Sequence, residues 1–275
     1  MKKLIQHLRY TTAPLPFLGQ KKDFAGRFAD ILREFTGITT VVDLFGGSGL
    51  LAHTAKATRP DLRVIYNDHD NFSERLHGIE DTNVLLSIVR SILKDEPKGK
   101  RVADAAKDRV MAVIDRWGGY LDAITISSEL FFAMNYAHTA EDLRSKTWYN
   151  NTKEKIYTAQ GYLEGVETVN EDFRQLAGRF QGDPSVCFLL DPPYLSTEAG
   201  HYEHFWRMAD SLDTLPILDG HPYFYFTSDK SRLIELCEWM EATHGIRSPF
   251  RGAQLIQRNG GIRDIRITDI MIFRN

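Results

Sequence analysis

The first part of the chain alternates between helical and strand-like spacing of its apolar residues. Residues 21–35 carry apolar side chains at close to helical period, and the apolar run over residues 40–45 is typical of a buried strand. A glycine-rich turn at residues 46–49 opens a second helical pattern, and another short apolar run covers residues 63–66. Strand, glycine turn, helix and strand in this order predict the start of a parallel α/β sheet.

This rhythm is interrupted in the middle of the chain. Residues 83–117 show helical periodicity, and residues 127–165 are rich in aromatic, amide and charged side chains. We therefore predict one core domain built from residues 1–74 and 166–275. Residues 75–165 are predicted to form a mainly helical domain inserted into it.

Strand-like spacing returns in the last part of the chain. The predicted strands and the helices between them cover residues 166–170, 186–190, 201–212, 223–227 and 232–243. Two final apolar runs flank Asn259, Gly260 and Gly261, which are typical of a turn between antiparallel strands. The pattern predicts an α/β fold with a mostly parallel sheet and an antiparallel hairpin at its C-terminal end.

Composition leaves the class of partner open. The chain has 275 residues, 43% of them hydrophobic, and its formal charge of −3 does not indicate a nucleic-acid-binding surface. No apolar stretch approaches the roughly 18 residues of a membrane span, so we expect a cytoplasmic protein with no membrane partner. Cys187 and Cys237 lack metal-ligand spacing, which predicts packed thiols and no metal site.

Polar signals follow four of the predicted strands. They are the glycine turn, Asp68, Asp172, and the tetrapeptide Asp191, Pro192, Pro193 and Tyr194. Ligands of open parallel sheets bind outside the carboxyl ends of the strands. We therefore expect these four positions to converge on one site.

The first two signals suit a ligand that contains adenosine. Gly46, Gly47 and Gly49 let the backbone approach a ligand closely, and the next helix presents free N–H groups there. Asp68 follows about 20 residues later, where a carboxylate can accept hydrogen bonds from both ribose hydroxyls. Taken alone, the glycines are explained equally well by a tight connection between a strand and a helix.

Asp172 and Phe173 carry two compatible interpretations. The Asp172 carboxylate can accept from an adenine amine while the next backbone N–H donates to the ring. The same side chain can cap a helix over residues 173–179.

The tetrapeptide is the most specific of the four signals. Two prolines fix φ and hold Asp191 in an extended conformation, so the loop is rigid. The Asp191 carboxylate and the Pro192 carbonyl are then paired acceptors for an amine, and Tyr194 offers a flat face on which a base can stack. These groups can grip an extruded nucleobase by its amine.

The four signals, in this order, resemble the Dam-like adenine-specific DNA methyltransferases. In that family a glycine motif precedes a target-recognition insertion and an Asp-Pro-Pro-Tyr motif. The resemblance covers the chain from about Leu15 to the C-terminus, and the insertion matches poorly. It implies a Rossmann-like methyltransferase sheet and transfer of a methyl group from S-adenosylmethionine to N6 of a flipped-out adenine.

The resemblance also implies roles for individual residues. The catalytic motif is Asp191, Pro192, Pro193 and Tyr194. The cofactor-binding residues are Phe17, Lys21, Asp43, Phe45, Gly46, Gly47, Gly49, Asp68, Asp172 and Phe173. Around Phe17 and Lys21 the family's Trp-Ala-Gly-Gly-Lys motif is replaced by another sequence. The insertion lacks the family's Phe-Asn-x-Pro-x-Gly segment, so recognition of GATC is not expected.

The insertion carries the side chains that DNA recognition uses. Cations suit phosphates, and amides can pair with adenine. The candidate DNA-binding residues are Arg144, Lys146, Asn150, Asn151, Lys153 and Lys155. The predicted partner is double-stranded DNA, bound by a monomer or a weak dimer; for any single residue, a solvated charged face explains the pattern as well.

Three other functions fit the same residues. A methyltransferase acting on the N4 amine of cytosine in DNA uses the same loop logic, often with a serine in place of Asp191. An adenine RNA methyltransferase is the second, and a DNA-binding regulator that has lost catalysis is the third. Retention of all four signals argues against the regulator, because a protein without activity has no need of them together.

Overall fold

The computed structural model describes residues 9–132, 135–193, 206–262 and 265–275, with the side chains of residues 260–267 left out. By its internal contacts the chain divides into two compact units. The first, the sheet unit, comprises Met1–Thr11, Lys21–Asp70 and Leu163–Asn275. The second, the helical unit, comprises Thr12–Gln20 and Asn71–Tyr162, so residues 12–20 fall with the middle of the chain.

The sheet unit is built on one seven-stranded sheet. Its strands are β1 (Thr40–Asp43), β2 (Arg63–Asn67), β3 (Glu167–Val169), β4 (Val186–Leu190), β5 (Tyr223–Ser228), β6 (Gln254–Ile262) and β7 (Ile265–Arg274). They lie in the order β3-β2-β1-β4-β5-β7-β6. The first five are parallel to one another, and β7 pairs antiparallel with both β5 and β6. The predicted α/β fold, with a mostly parallel sheet and an antiparallel pair of strands at its C-terminal end, is confirmed.

The helices of both units are named in chain order. They are α1 (Lys22–Glu34), α2 (Leu50–Thr58), α3 (Phe72–His77), α4 (Ile79–Ile92), α5 (Asp104–Ile114), α6 (Ala123–Ser127), α7 (Ala140–Ser145), α8 (Phe173–Gly178), α9 (Met208–Asp213) and α10 (Leu233–His244). A short 3-10 helix covers Pro216–Leu218. None of the helices in the described ranges is long and apolar enough to cross a membrane.

Both faces of the central strands are covered, which explains their continuous apolar runs. Every residue of β4 is buried. Successive side chains alternate between two cores: Cys187 and Leu189 pack in the core that contains α1 and α2, and Phe188 and Leu190 in the core that contains α8. A parallel sheet between helical layers therefore forms where the sequence predicts uninterrupted strands.

The predicted turn at Asn259, Gly260 and Gly261 is wrong. These residues lie inside β6, where they pair with Thr268, Ile267 and Arg266 in order. Pairing continues to Ile262 and Ile265, so the connection falls at residues 263–264, outside the described residues. Glycine also tolerates an extended backbone, so Gly260 and Gly261 can continue the β6–β7 pairing that the residues before them begin.

The helical unit contains α3 to α7 and its own buried ion pairs. Arg75 lies 3.2 Å from Asp122, and Arg90 lies 2.6 Å from Glu129, with both carboxylates at most 1% exposed. Arg101 and Tyr149 also form an isolated antiparallel β-bridge in this unit. Buried charges at these positions are tolerated because each is paired and hydrogen-bonded.

Candidate active site

The order of the strands reverses at β1, which separates β2 and β3 from β4 and β5. Asp43, the last residue of β1, pairs in register with Tyr66 of β2 and with Leu189 of β4. The loops after these three strands therefore leave the sheet side by side. A crevice at such a switch point is where open α/β sheets bind ligands.

The glycine loop after β1 is held close to the end of β2. A Cβ at Gly46 would meet the Tyr66 ring at 2.2 Å, so only glycine fits there. Gly49 has a φ of +72° and caps α2, and its amide donates to the Gly46 carbonyl at 2.7 Å. Gly47 also has positive φ, at +49°. The glycines thus make a tight strand-to-helix connection, as one of the two interpretations required, and no side chain caps the N-terminus of α2 by a hydrogen bond.

The end of β2 provides a buried carboxylate. Asp68 is 5% exposed, and the Tyr66 hydroxyl lies 2.8 Å from its Oδ1. The same hydroxyl lies 2.6 Å from the Gly47 carbonyl oxygen. The Tyr66 hydroxyl therefore contacts both Asp68, the candidate ribose-binding residue, and the glycine loop. It connects the end of β2 to that loop. Sequence patterns alone assign no role to Tyr66, because a strand tyrosine is ordinarily core.

Asn67 joins the loops of three strands and is a second residue that sequence patterns do not single out. Its side-chain amide donates to the Leu44 carbonyl at 3.1 Å and to the Glu171 carbonyl at 2.9 Å. Its Oδ1 accepts from the Glu171 amide at 3.0 Å. With 1% exposure and all these bonds satisfied, the side chain fixes the loops after β1 and β3 relative to the end of β2. The sequence signal that could have identified Asn67 is an amide side chain at the last position of a buried strand.

Asp191 follows β4 and forms an ion pair with Lys21. The Lys21 Nζ lies 2.5 Å from Asp191 Oδ2, and the two side chains are 12% and 19% exposed. Burial raises the pKa of Asp191, the ammonium group lowers it, and the charge of Asp269 raises it further. The structure thus brings two predicted site residues together, with a nitrogen cation in direct contact with the carboxylate. Pro192 is buried and Pro193 half-buried, whereas Tyr194 lies outside the described residues.

Asp43 is a buried carboxyl group at the same strand edge. It is 1% exposed, and neither oxygen has a hydrogen-bond partner of good geometry among the described residues, although the Phe45 and Ala52 amides lower its pKa slightly. Burial, and then the charge of Asp191, raise the pKa from 3.8 to about 8. The group is therefore mostly protonated at neutral pH and can donate one hydrogen bond.

Two hydroxyls at the end of β5 are also unsatisfied. Thr227 and Ser228 are each 2% exposed, and their side-chain oxygens have no partner among the residues that the structure describes. Because β5 is the parallel neighbour of β4, these hydroxyls lie at the same edge of the sheet as Asp191, which directly follows β4. Buried polar atoms without partners are rare in folded proteins and call for an explanation such as a bound ligand.

Asp172 serves as the N-cap of α8, as one of its two interpretations predicted. Its Oδ1 accepts from the Arg174 amide at 2.8 Å. The Arg174 guanidinium also lies 3.4 Å from Asp172 Oδ2, and it pairs with Asp210 and Asp213 of α9 at 2.5 and 2.7 Å. Arg174 thereby ties α8 to α9. Asp172 remains 46% exposed, so a ligand can still reach its carboxylate.

Three aromatic rings cluster beside this cap. Phe45 lies 5.0 Å from Phe173, and Trp206 lies 5.6 Å from each of them. The Trp206 indole N–H donates to the Ser211 hydroxyl at 2.7 Å, which fixes the ring against α9. The predicted residues Phe45 and Phe173 are thus brought together, and Trp206 is an addition that a helical pattern over residues 201–212 obscured.

A curated protein of Haemophilus influenzae, named "Putative methyltransferase", is 37% identical to this chain over 240 residues. The match covers 84% of this chain and 81% of the relative. The chain belongs to this methyltransferase family. A search against family models gave no match.

One predicted cofactor-binding residue of the methyltransferase, Phe17, falls in the helical unit. Its ring lies 5.6 Å from that of Phe72 in an edge-to-face contact. Lys21, only four positions later in the chain, belongs to the sheet unit. The segment between them crosses from one unit to the other.

The predicted DNA-binding residues of the methyltransferase differ in how far their side chains are engaged. Asn150 is fully buried: its amide donates to the Leu93 and Glu96 carbonyls at 3.2 and 2.6 Å, and its Oδ1 accepts from the Thr152 hydroxyl at 2.7 Å. In this fold Asn150 cannot read a base, because every polar group of its side chain is used internally. Asn151 is half-buried and donates to the Phe131 carbonyl at 3.0 Å.

The four cations of the set are exposed. Arg144 pairs with Asp115 at 2.5 Å, and the Lys146 ammonium donates to the Tyr136 carbonyl at 2.8 Å. The Lys155 ammonium lies 4.5 Å above the Tyr157 ring, and burial lowers its pKa. Lys153 and Lys155 keep their charges clear of ion pairs among the described residues, so they suit a phosphate better than Arg144 does.

Proposed function

We propose that this methyltransferase transfers a methyl group from S-adenosylmethionine to the exocyclic amine of adenine in double-stranded DNA. The observation that carries the proposal is the Lys21–Asp191 contact at the switch point. There the carboxylate of the Asp-Pro-Pro-Tyr motif already accepts from an amine nitrogen at 2.5 Å. An adenine amine can take the place of that nitrogen.

The residues at the strand ends fit the cofactor. The Gly46–Tyr66 contact leaves no room for a side chain at Gly46, and the backbone N–H groups at the N-terminus of α2 suit a carboxylate such as the one on methionine. Asp68 lies at the end of β2, where an acid can bind a ribose, and it accepts a hydrogen bond from the Tyr66 hydroxyl, which also contacts the glycine loop. The Asp43 carboxyl group, whose pKa burial raises to about 8, and the Thr227 and Ser228 hydroxyls supply further buried polar groups at this edge.

The cofactor supplies an electrophilic methyl group on a positively charged sulfur. The residues of the chain prepare the nucleophile. The lone pair of an exocyclic adenine amine is delocalised into the ring, so the amine is a poor nucleophile until its protons are held out of the ring plane. Acceptance of those protons by the Asp191 carboxylate and the Pro192 carbonyl favours a tetrahedral nitrogen. When the nitrogen takes the methyl group from the sulfur it would release one proton, which the Asp191 carboxylate would accept.

Lys21 has a defined place in this scheme. Burial raises the pKa of the Asp191 carboxyl group, and the Lys21 ammonium group opposes that shift and so favours the ionised form that accepts protons. The target amine must displace the ammonium group before transfer. Asp191 therefore holds a cationic nitrogen before the target enters and the neutral target amine afterwards.

Labelled methyl transfer tests the proposal. The protein is incubated with methyl-labelled S-adenosylmethionine and one of three substrates: duplex DNA with adenine on both strands, duplex DNA of only guanine and cytosine, and RNA of matched sequence. Digestion to nucleosides should place the label on N6-methyl-deoxyadenosine from the first substrate alone. Label on cytosine or on RNA would replace the proposal by one of its two rivals, and no label on any nucleic acid would refute it.

A further inference from the structure

One short segment of the helical unit is exposed yet held at both ends. We call residues 152–157 the clamped segment; it has no helix or strand. At its start, the Lys98 ammonium donates to the Thr152 carbonyl at 2.7 Å and the Thr152 hydroxyl donates to Asn150. At its end, Asn83 and Tyr157 exchange two hydrogen bonds of 2.9 Å, and Tyr157 is 4% exposed. A loop with anchored ends holds its side chains in place better than a free one.

Ile156 projects from this segment. Its 80% exposure is the highest among the large hydrophobic side chains of the described residues. Such exposure leaves apolar surface in contact with water, and burial of that surface against a partner would lower the free energy. Because isoleucine is branched at Cβ, the side chain is also stiff. A stiff apolar group on an anchored loop is well suited to insertion into another apolar layer.

The neighbouring charges indicate which layer that is. Lys153 and Lys155 lie on either side of Glu154, and both are exposed. A buried acid beside the segment, Glu129, is neutralised by Arg90 and also accepts from the Lys153 amide at 3.2 Å. The segment therefore presents cations around an apolar tip. That combination complements a polyanion with a stacked apolar interior, and duplex DNA has that structure.

We propose that Ile156 is a wedge that enters the base stack of duplex DNA while Lys153 and Lys155 contact its phosphates. The proposal rests on the proposed function, because an enzyme that modifies a base inside a duplex must first extrude it. Insertion of an apolar side chain offsets part of the stacking that the extruded base loses. Ile156 is then a positioning residue, since it acts on the duplex and not on the reacting amine.

The test compares single-turnover methylation of two duplexes that contain the enzyme's own site, read beforehand from treated plasmid DNA. One duplex is intact, and the other has an abasic position opposite the target adenine, which makes extrusion easy. Ile156→Ala should slow methylation of the intact duplex by roughly 10- to 100-fold and that of the abasic duplex by less than about threefold. Ile156→Leu should retain most of the wild-type rate on both. Ile246→Ala, the same change at a 52% exposed site after α10, is the matched control and should match wild type on both duplexes.

Equal rates for Ile156→Ala and wild type on the intact duplex would overturn the wedge, as would equal losses on the two duplexes. Either result leaves the proposed function standing, because the wild-type protein still methylates DNA. Absence of any methylated site in the plasmid would overturn the proposed function instead, and the wedge with it. Circular dichroism of each variant checks that substitution of Ile156 leaves the fold intact.

Discussion

Buried polar groups are treated differently in the two units of this methyltransferase. In the helical unit, Glu129 is fully buried, and both of its oxygens accept hydrogen bonds from Arg90. Asp122 is 2% exposed and accepts from Arg75 and Thr125. At the strand ends of the sheet unit, by contrast, Asp43 lacks a partner of good geometry among the described residues.

The contrast distinguishes polar groups that are satisfied within the fold from groups that are open to a ligand at the strand ends. A satisfied buried network stabilises the packing around it, whereas an unsatisfied group costs free energy and persists only where another requirement maintains it. Asp43, Thr227 and Ser228 lie at the edge where the sheet order reverses and where Asp191 leaves β4. Substitutions of the buried, hydrogen-bonded polar groups of the helical unit should therefore change stability alone, and those of the polar groups at the strand ends should also change ligand binding and turnover.

The largest effect is expected at Asp191. Asp191→Ala should lower the single-turnover rate of methyl transfer by at least about 1,000-fold, because the target amine loses its charged acceptor. Affinity for S-adenosylmethionine should stay within about tenfold of wild type. Rapid-quench kinetics and titration calorimetry measure the two quantities. Asp219→Ala, at an exposed position before β5, is the control, and a rate for Asp191→Ala equal to that control would remove the residue from catalysis.

Asp68 should control cofactor affinity. Asp68→Ala removes the charge-assisted hydrogen bonds proposed for the ribose and should weaken binding by roughly 2–4 kcal/mol. Tyr66→Phe keeps the carboxylate but removes the hydroxyl that holds it, so it should cost only about 1 kcal/mol. Titration calorimetry with S-adenosylmethionine gives both values. Unchanged affinity in Asp68→Ala would place the ribose elsewhere.

Asn150 should affect stability and leave the choice of DNA site unchanged. Asn150→Ala leaves the Leu93 and Glu96 carbonyls without their donor and should lower the free energy of unfolding by about 1–3 kcal/mol. Asn151→Ala loses one half-buried bond and should cost less than about 1 kcal/mol. Urea unfolding measures both. A relaxed methylation pattern in Asn150→Ala at full stability would restore the residue to base reading.

Asp43 should make the stability of the sheet unit depend on pH. Burial raises the pKa of Asp43 from 3.8 to about 8, so between these values the folded protein holds a proton that the unfolded chain has released. This group therefore costs stability increasingly as the pH rises from about 4 to about 8. The neutral variant Asp43→Asn escapes that cost, and its advantage over wild type should grow by on the order of 1 kcal/mol or more from pH 5 to pH 8. A constant difference between the two unfolding curves would contradict the raised pKa.

The smallest effect is expected from the lysines of the clamped segment. Replacing Lys153 and Lys155 by alanine together should weaken binding to all duplex DNA and flatten the dependence of log affinity on log salt by about two units of slope. Fluorescence anisotropy at a series of salt concentrations measures the slope. Arg144→Ala, whose guanidinium is already paired with Asp115, should change it less. An unchanged slope in the double variant would move the phosphate contacts away from this segment.

The sheet and the catalytic edge were largely predictable from the sequence. Continuous apolar runs locate β1, β2, β4 and β5, and the residue that follows such a run must lie at the carboxyl edge of a parallel sheet. Asp68 and Asp191 were therefore placed without any knowledge of contacts. The hairpin turn was misplaced because Gly260 and Gly261 tolerate both a turn and an extended strand.

The helical unit was less predictable, because side-chain type does not reveal burial. Asn150 and Asn151 are adjacent and identical in chemistry, yet one is fully buried and the other only half-buried. Asn67 and Trp206 were missed for a related reason, since their contacts are to residues distant in the chain or obscured by a helical pattern. Tertiary packing decides such roles, and local periodicity carries no record of it.

The central claim is that the Asp191 carboxylate grips an adenine amine in DNA. The most direct measurement is mass spectrometry of nucleosides from the DNA of host cells that lack adenine methylation and express either wild type or Asp191→Ala. The account predicts N6-methyl-deoxyadenosine in the wild-type sample and none above background in the variant, with equal amounts of folded protein. N6-methyl-deoxyadenosine at equal levels in both samples, or its absence from the wild-type sample, would contradict the claim.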